Sequence, residues 1–224
     1  MRQNGSPMNE PTAFLYPFID ADEHDAGRLL VDLANSARTK AAESAALRTA
    51  TLARCDDMLR SVADAMAHRF RRGGRLFTFG NGGSATDADG SAELFRDPPS
   101  GRPLPALSLA EDPAVLTALA NDVGFELVFS RQIIAHARAG DIALGFSTSG
   151  DSVDVVRAFE ESARRELLTI GLCGNQGGAM AAGGDVEHCI VVESASVHRV
   201  QETQDAIAFT LWTLVQSALK EHES

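Results

Sequence analysis

Two short segments carry residue types suited to holding an anion. Gly80-Asn81-Gly82-Gly83-Ser84 sets three glycines around an asparagine and a serine. Glycines let a backbone approach a ligand closely, and a helix starting there offers unpaired N–H groups to negative charge. Ser147-Thr148-Ser149-Gly150-Asp151-Ser152 gathers four hydroxyls around one glycine. Hydroxyls and N–H groups together suit a terminal phosphate with its acceptor oxygens. Capping a helix takes only one such hydroxyl, so the others are available to a ligand.

Both segments follow a short apolar run and precede a helical pattern. Strands are expected near 75–79, 104–109, 141–146, 167–172 and 186–192, and helices near 84–95, 114–120, 125–138, 153–165, 179–182 and 197–220. Strands alternating with helices predict an α/β domain, a five-stranded parallel sheet sandwiched between helices. Two polar loops that leave parallel strands meet at the carboxyl ends of the sheet. Upstream, apolar residues at helical spacing (Leu29, Leu30, Leu33, Ala34 and Ala37; then Leu52, Leu59, Val62, Met66 and Phe70) predict an N-terminal pair of helices, over about 25–45 and about 47–71, closed by Gly73-Gly74. The expected organisation is a loose leader over 1–22, the helical pair over 23–72 and the α/β domain over 73–224. Within the leader, the apolar stretch from Phe14 to Ile19 is expected to pack on the body or on a partner chain.

Composition narrows the function. Lys and Arg number 20 against 31 Asp and Glu, a net charge of −11. Such a surface repels nucleic acid and anionic membranes. A phosphate site must therefore be assembled locally from amides and hydroxyls. Cys55, Cys173 and Cys189 show neither CxxC spacing nor an even count, so they read as core thiols in a reducing, cytoplasmic compartment. No apolar run is long enough for a transmembrane span, and no signal peptide is evident. Gly80, Gly82 and Ala85 fit a G-x-G-x-x-A dinucleotide fingerprint, but that site has no use for a second hydroxyl loop. It also wants an acid about 20 positions on, whereas Glu111 and Asp112 lie some ten residues farther.

The glycine loop, Ala120-Asn121-Asp122, Gly140-Asp141 spaced five residues before Ser147-Thr148-Ser149-Gly150, and Arg199-x-Gln201-Glu202 together resemble the phosphoheptose isomerase branch of the SIS (sugar isomerase) family, over about residues 45–220. The resemblance implies a five-stranded parallel sheet, a homotetramer or dimer with interfacial sites, and a phosphorylated sugar as partner. It implies an aldose–ketose isomerase that converts sedoheptulose 7-phosphate to a glycero-manno-heptose 7-phosphate. By the same resemblance Asn81, Gly82, Gly83 and Ser84 line the substrate, Asn121 and Asp122 contact the sugar, and Ser147, Thr148, Ser149 and Ser152 hold its phosphate. Gln201 matches the glutamine that opens the last helix.

Isomerisation through an enediol needs a base to move a proton between adjacent carbons and a group to polarise the carbonyl. Similar enzymes use a His-x3-Glu motif after the glycine loop and a histidine eight residues past the glutamine, and many bind zinc there. In this chain those histidine positions are Gly90 and Phe209. The glutamate position is Leu94, or Glu93 with one deletion. No zinc or other cofactor is expected. Glu93 is the expected base, Gln201 its companion, and Asp205 another stand-in; His198 lies near Gln201. Asp87 is expected to support the first turn of its helix. Asp151 stands where similar sequences have Asn, and is expected to face away from phosphate. Two readings stay open: an isomerase with an incomplete catalytic set, or a non-catalytic regulatory or protein-interaction module that binds a phosphosugar.

Overall fold

The computed structural model describes residues 26–221. The expected leader and its Phe14–Ile19 stretch lie outside the described residues, as do His24 and His222. The elements are α1 (Ala26–Arg54), α2 (Asp56–Arg71), β1 (Leu76–Gly80), α3 (Gly83–Arg96), β2 (Ala106–Ser108), α4 (Pro113–Asp122), α5 (Val128–His136), β3 (Ile142–Ser147), α6 (Val153–Arg164), β4 (Leu168–Gly174), α7 (Gly178–Ala182), β5 (His188–Val192) and α8 (Val197–Glu221). The described residues divide within α1 into two units, 26–43 and 44–221.

In the first unit, Leu30, Val31 and Leu33 of α1 are exposed. The expected helical break near residue 46 is absent. Ala45 to Arg54 contains no Gly or Pro, and its alanines, leucines and arginines sustain the helix. The chain turns at Cys55 instead.

The second unit holds the sheet. All five strands are parallel, in the order β2-β1-β3-β4-β5. Such a sheet is buried on both faces, which explains why β1, β3 and β4 are buried along their whole length. One face (Leu76, Ile142, Leu144, Phe146, Ile170 and Ile190) packs against α2, α3 and α8. The other (Phe77, Phe79, Ala143 and Cys173) packs against α5, α6 and Met180 of α7. Gly145 makes room there: a Cβ would stand 2.6 Å from the rings of Phe79 and Phe159. Those rings meet edge to face at 5.1 Å and seat α6 against β3.

Two expected elements differ. The strand at 104–109 shortens to three residues, because β2 is an edge strand with a single partner. The helix expected from 125 opens as a 3-10 turn over Phe125–Leu127, after Gly124 at φ +108°. At the amino ends of the strands, buried Asp141 accepts from the Arg75 and Arg138 amides and from the Arg75 guanidinium. It braces that end of the sheet. No described helix is long and apolar enough to cross a membrane.

Candidate functional site

The strand order reverses direction between β1 and β3, and in open α/β sheets a ligand crevice forms outside the carboxyl ends of the strands at such a point. Gly80 ends β1 and pairs with Phe146, one residue before Ser147 ends β3. The glycine loop and the hydroxyl loop therefore leave neighbouring strands side by side, about 4.8 Å apart. Asn81 Nδ2 ties them together by donating to Asp154 Oδ1 at 2.8 Å. Asp154, in the first turn of α6, is buried, and burial raises its pKa above the usual carboxylate range despite that bond.

The glycine loop turns at Gly82, whose φ of +56° favours glycine. The Ser84 and Ala85 amides fold back onto the carbonyls of Asn81 and Gly82. Ser84 is buried, while Gly82 and Gly83 are exposed at the crevice. Gln201, from the first turns of α8, lies directly over Gly83: a Cβ there would stand 2.0 Å from Gln201 Nε2. The glutamine and the glycine loop, 118 residues apart in sequence (201 − 83), share one spot.

The hydroxyl loop closes on itself. Ser147 Oγ lies 3.0 Å from Ser152 Oγ and 3.4 Å from Ser149 Oγ. The Gly150 amide donates to Ser147 Oγ and the Asp151 amide to Ser149 Oγ, each at 3.1 Å. Three hydroxyls thus converge on one point, with Thr148 half-buried beside them. Asp151 turns aside: its Oδ1 accepts from the Ala179 amide at 2.8 Å, at the start of α7. Gly150, at φ +76°, fits against the Gly177 carbonyl, and its own carbonyl accepts from the Met180 amide. The loop is therefore latched to the turn that opens α7.

One turn beyond each member of the Gly83–Gln201 contact, the helices meet again. Asp87 of α3 faces Asp205 of α8 with the carboxyls within hydrogen-bonding reach. Burial, followed by the Asp205 charge, pushes Asp87 up to about 7, and burial also raises Asp205. Asp87 thus does more than support its own helical turn. Arg48 and Leu52 of α1, with Glu202, Asp205 and Phe209 of α8, line an open groove alongside. Phe209 is 53% exposed and its ring rests 5.3 Å from that of Trp212. Gly90 is exposed, with nothing within 4 Å of where a Cβ would stand.

Other expected residues lie apart within the chain. Glu93 is exposed on α3, about 80° round the helix from the line through Gly83, Asp87 and Gly90. Asn121 and Asp122 are exposed at the end of α4, and the Asn121 amide donates to Asp122. His198 is exposed in the first turn of α8. Sequence reasoning missed Asp154; it places Gln204 at a position that is often histidine in similar enzymes, without showing its burial. Asp154 had a signal, an acid two residues past Ser152 at a helix start. Gln204 is fully buried, and neither end of its amide has a hydrogen-bond partner among the described residues; its spacing on α8 alone gives no such warning.

The SIS domain family model matches residues 41–174. The chain is 39% identical over 180 residues to a phosphoheptose isomerase of Chlorobaculum parvum, covering 79% of this chain and 86% of that protein. It is 41% identical over 164 residues to the phosphoheptose isomerase of Pelobacter propionicus, with 72% and 86% covered. The solved phosphoheptose isomerase of Neisseria gonorrhoeae superposes with a TM-score of 0.77 at 30% identity, covering 83% of this chain and 99% of that one. With the topology, the crevice and both loops in agreement, the chain belongs to the SIS domain family.

Proposed function

We propose that the protein is a sugar-phosphate isomerase of the phosphoheptose type, interconverting sedoheptulose 7-phosphate and the corresponding aldose phosphate. The observation that carries this is the placement of Gln201 on Gly83 beside the hydroxyl cluster, in one crevice. Ser147, Thr148, Ser149 and Ser152 would hold the phosphate, while Asn81, Gly82, Gly83 and Ser84 would line the sugar. The relatives named as phosphoheptose isomerases support the substrate.

Moving a proton between C1 and C2 requires a base positioned at those carbons. Glu93 takes that role in this reading, with Gln201 donating to the carbonyl oxygen from its amide. Glu93 and the Asn121–Asp122 pair would reach a sugar held by a second copy of the chain, so the site is proposed to lie between subunits of a homo-oligomer. The exposed Leu30, Leu33 and Phe209 are suited to such contacts. The Asp87–Asp205 pair, adjacent to the Gln201 contact, offers a second proton-transfer group whose half-titration near neutrality fits the chemistry.

Zinc does not fit the positions similar enzymes use. Gly90 offers no donor, and Phe209 cannot ligate a metal. We propose a metal-independent route and a cytoplasmic protein.

The test is solvent-deuterium incorporation at C1 and C2 of sedoheptulose 7-phosphate, with conversion followed alongside. Exchange and conversion support the isomerase. A thermal shift with the sugar phosphate but no exchange would select the non-catalytic phosphosugar-binding module, which the Gly90 and Phe209 positions favour. A saturating ligand at 100 times its Kd adds about 2.7 kcal/mol.

A further inference from the structure

On the α6 side of the sheet, Cys173 of β4 and Cys189 of β5 point at one another, with Sγ atoms 3.3 Å apart. Cys173 is buried and Cys189 partly exposed. We propose that Cys173 and Cys189 form a reversible intrachain disulfide, and that the hydroxyl loop senses its state; the second half rests on the phosphate site proposed above.

The geometry makes the bond accessible. A disulfide needs the sulfurs about 2.05 Å apart, so they must close by little more than an ångström. The register sets Cys189 opposite Gly171, two residues from Cys173, so closure also draws the backbones of β4 and β5 together there. Cys189 is the reacting thiol because it can be reached by a small oxidant. Donation from the Cys173 thiol also lowers its pKa and raises that of Cys173, and a thiolate is the nucleophile in such reactions.

The oxidant is a hydroperoxide. The Cys189 thiolate attacks the O–O bond; an S–O bond forms, the O–O bond breaks, and the alkoxide leaves and takes up the proton that Cys189 shed. Cys173 sulfur then attacks the sulfenyl sulfur. An S–S bond forms, the S–O bond breaks, and the departing hydroxide takes the Cys173 proton to leave as water. Two thiols lose two electrons, and the peroxide is reduced to alcohol and water. A small dithiol reverses the step by exchange.

The coupling runs through one turn. Gly177 lies against Cys173: a Cβ at Gly177 would stand 3.6 Å from the Cys173 sulfur. The Gly177 carbonyl presses on Gly150, and the following residues hold Asp151 and the Gly150 carbonyl through the Ala179 and Met180 amides. Drawing Cys173 toward β5 pulls on the turn that anchors the hydroxyl loop.

The experiment treats the full chain with a stoichiometric hydroperoxide, counts thiols under denaturing conditions, weighs the intact protein and titrates sedoheptulose 7-phosphate before and after. The thiol count falls from three to one, two hydrogens are lost, and dithiothreitol restores both. Cys55→Ser still loses two thiols, and Cys189→Ser forms no intrachain bond. Oxidation weakens sugar-phosphate binding by about fivefold or more. Over-oxidised sulfur without a disulfide, or a bond that survives in Cys189→Ser, overturns the pairing. A disulfide with unchanged affinity overturns the coupling. A reduced protein that binds no sugar phosphate refutes the phosphate-site reading and the coupling that rests on it, while the thiol count still decides the bond.

Discussion

Gln201 occupies the space that any side chain at position 83 would need: its Nε2 lies 2.0 Å from where a Cβ of Gly83 would be. The blocking atom is the tip of a flexible side chain, so Gly83→Ala swings Gln201 aside without disturbing backbone. Alanine also suits a helix better than glycine. The variant should keep its stability to within about 1 kcal/mol yet lose about 10²-fold in kcat/KM through misplacement of Gln201. Thermal unfolding and isomerase rates measured side by side check this. A fully active Gly83→Ala protein would remove Gln201 from the mechanism.

In the proposed site Ser152 would offer its hydroxyl to the phosphate, and that hydroxyl bonds only Ser147 Oγ within the loop. Losing a hydrogen bond to a charged group costs about 1.5–3 kcal/mol. Ser152→Ala should therefore raise the KM for the sugar phosphate about 10- to 100-fold with kcat little changed. Initial-rate kinetics separate the two parameters.

The Asp87–Asp205 contact predicts a pH dependence of stability. The Asp87 pKa rises on folding from 3.8 to about 7. Between those values the native state holds a proton that the unfolded state has released, so stability falls as pH rises through the window. Its contribution is whole below 3.8 and gone above about 7. Asp87→Asn keeps the contact without the titration, and should flatten this part of the curve. Urea unfolding from pH 4 to 8, for both proteins, measures the difference in slope.

Gln204 buries an amide that finds no partner among the described residues. Methionine of similar length removes the unmet polar atoms, and Gln204→Met should stabilise by about 1–3 kcal/mol. Destabilisation in chemical denaturation would mean that the amide is satisfied, by water or by a second chain.

Chelation should leave any isomerase activity intact, and metal analysis should find no stoichiometric zinc bound through the Gly90 and Phe209 positions. Loss of activity with a chelator, restored by zinc, would overturn this.

Local patterns foretold the sheet and both loops, because fully buried strands and glycine–hydroxyl turns leave short-range signatures. Meetings between distant segments left no such trace. Nothing near residue 83 announces Gln201, nothing near Asp87 announces Asp205, and Asn81 gives no hint of Asp154. Element ends were displaced where edge pairing (β2) or a glycine at positive φ (Gly124) decided the boundary. The Asp151 carboxylate accepts from the Ala179 amide, a destination that depends on how α7 packs.

Gly145 has a bearing well beyond its own strand. With no methyl group at that point, the Phe159 ring descends onto the sheet and brings α6 down with it. Ser152 sits at the head of that helix, so the elevation of the hydroxyl cluster is determined in the interior of the domain. Close-packed interiors transmit such displacements. A bulkier residue at this depth would hold the same hydroxyls at a different height.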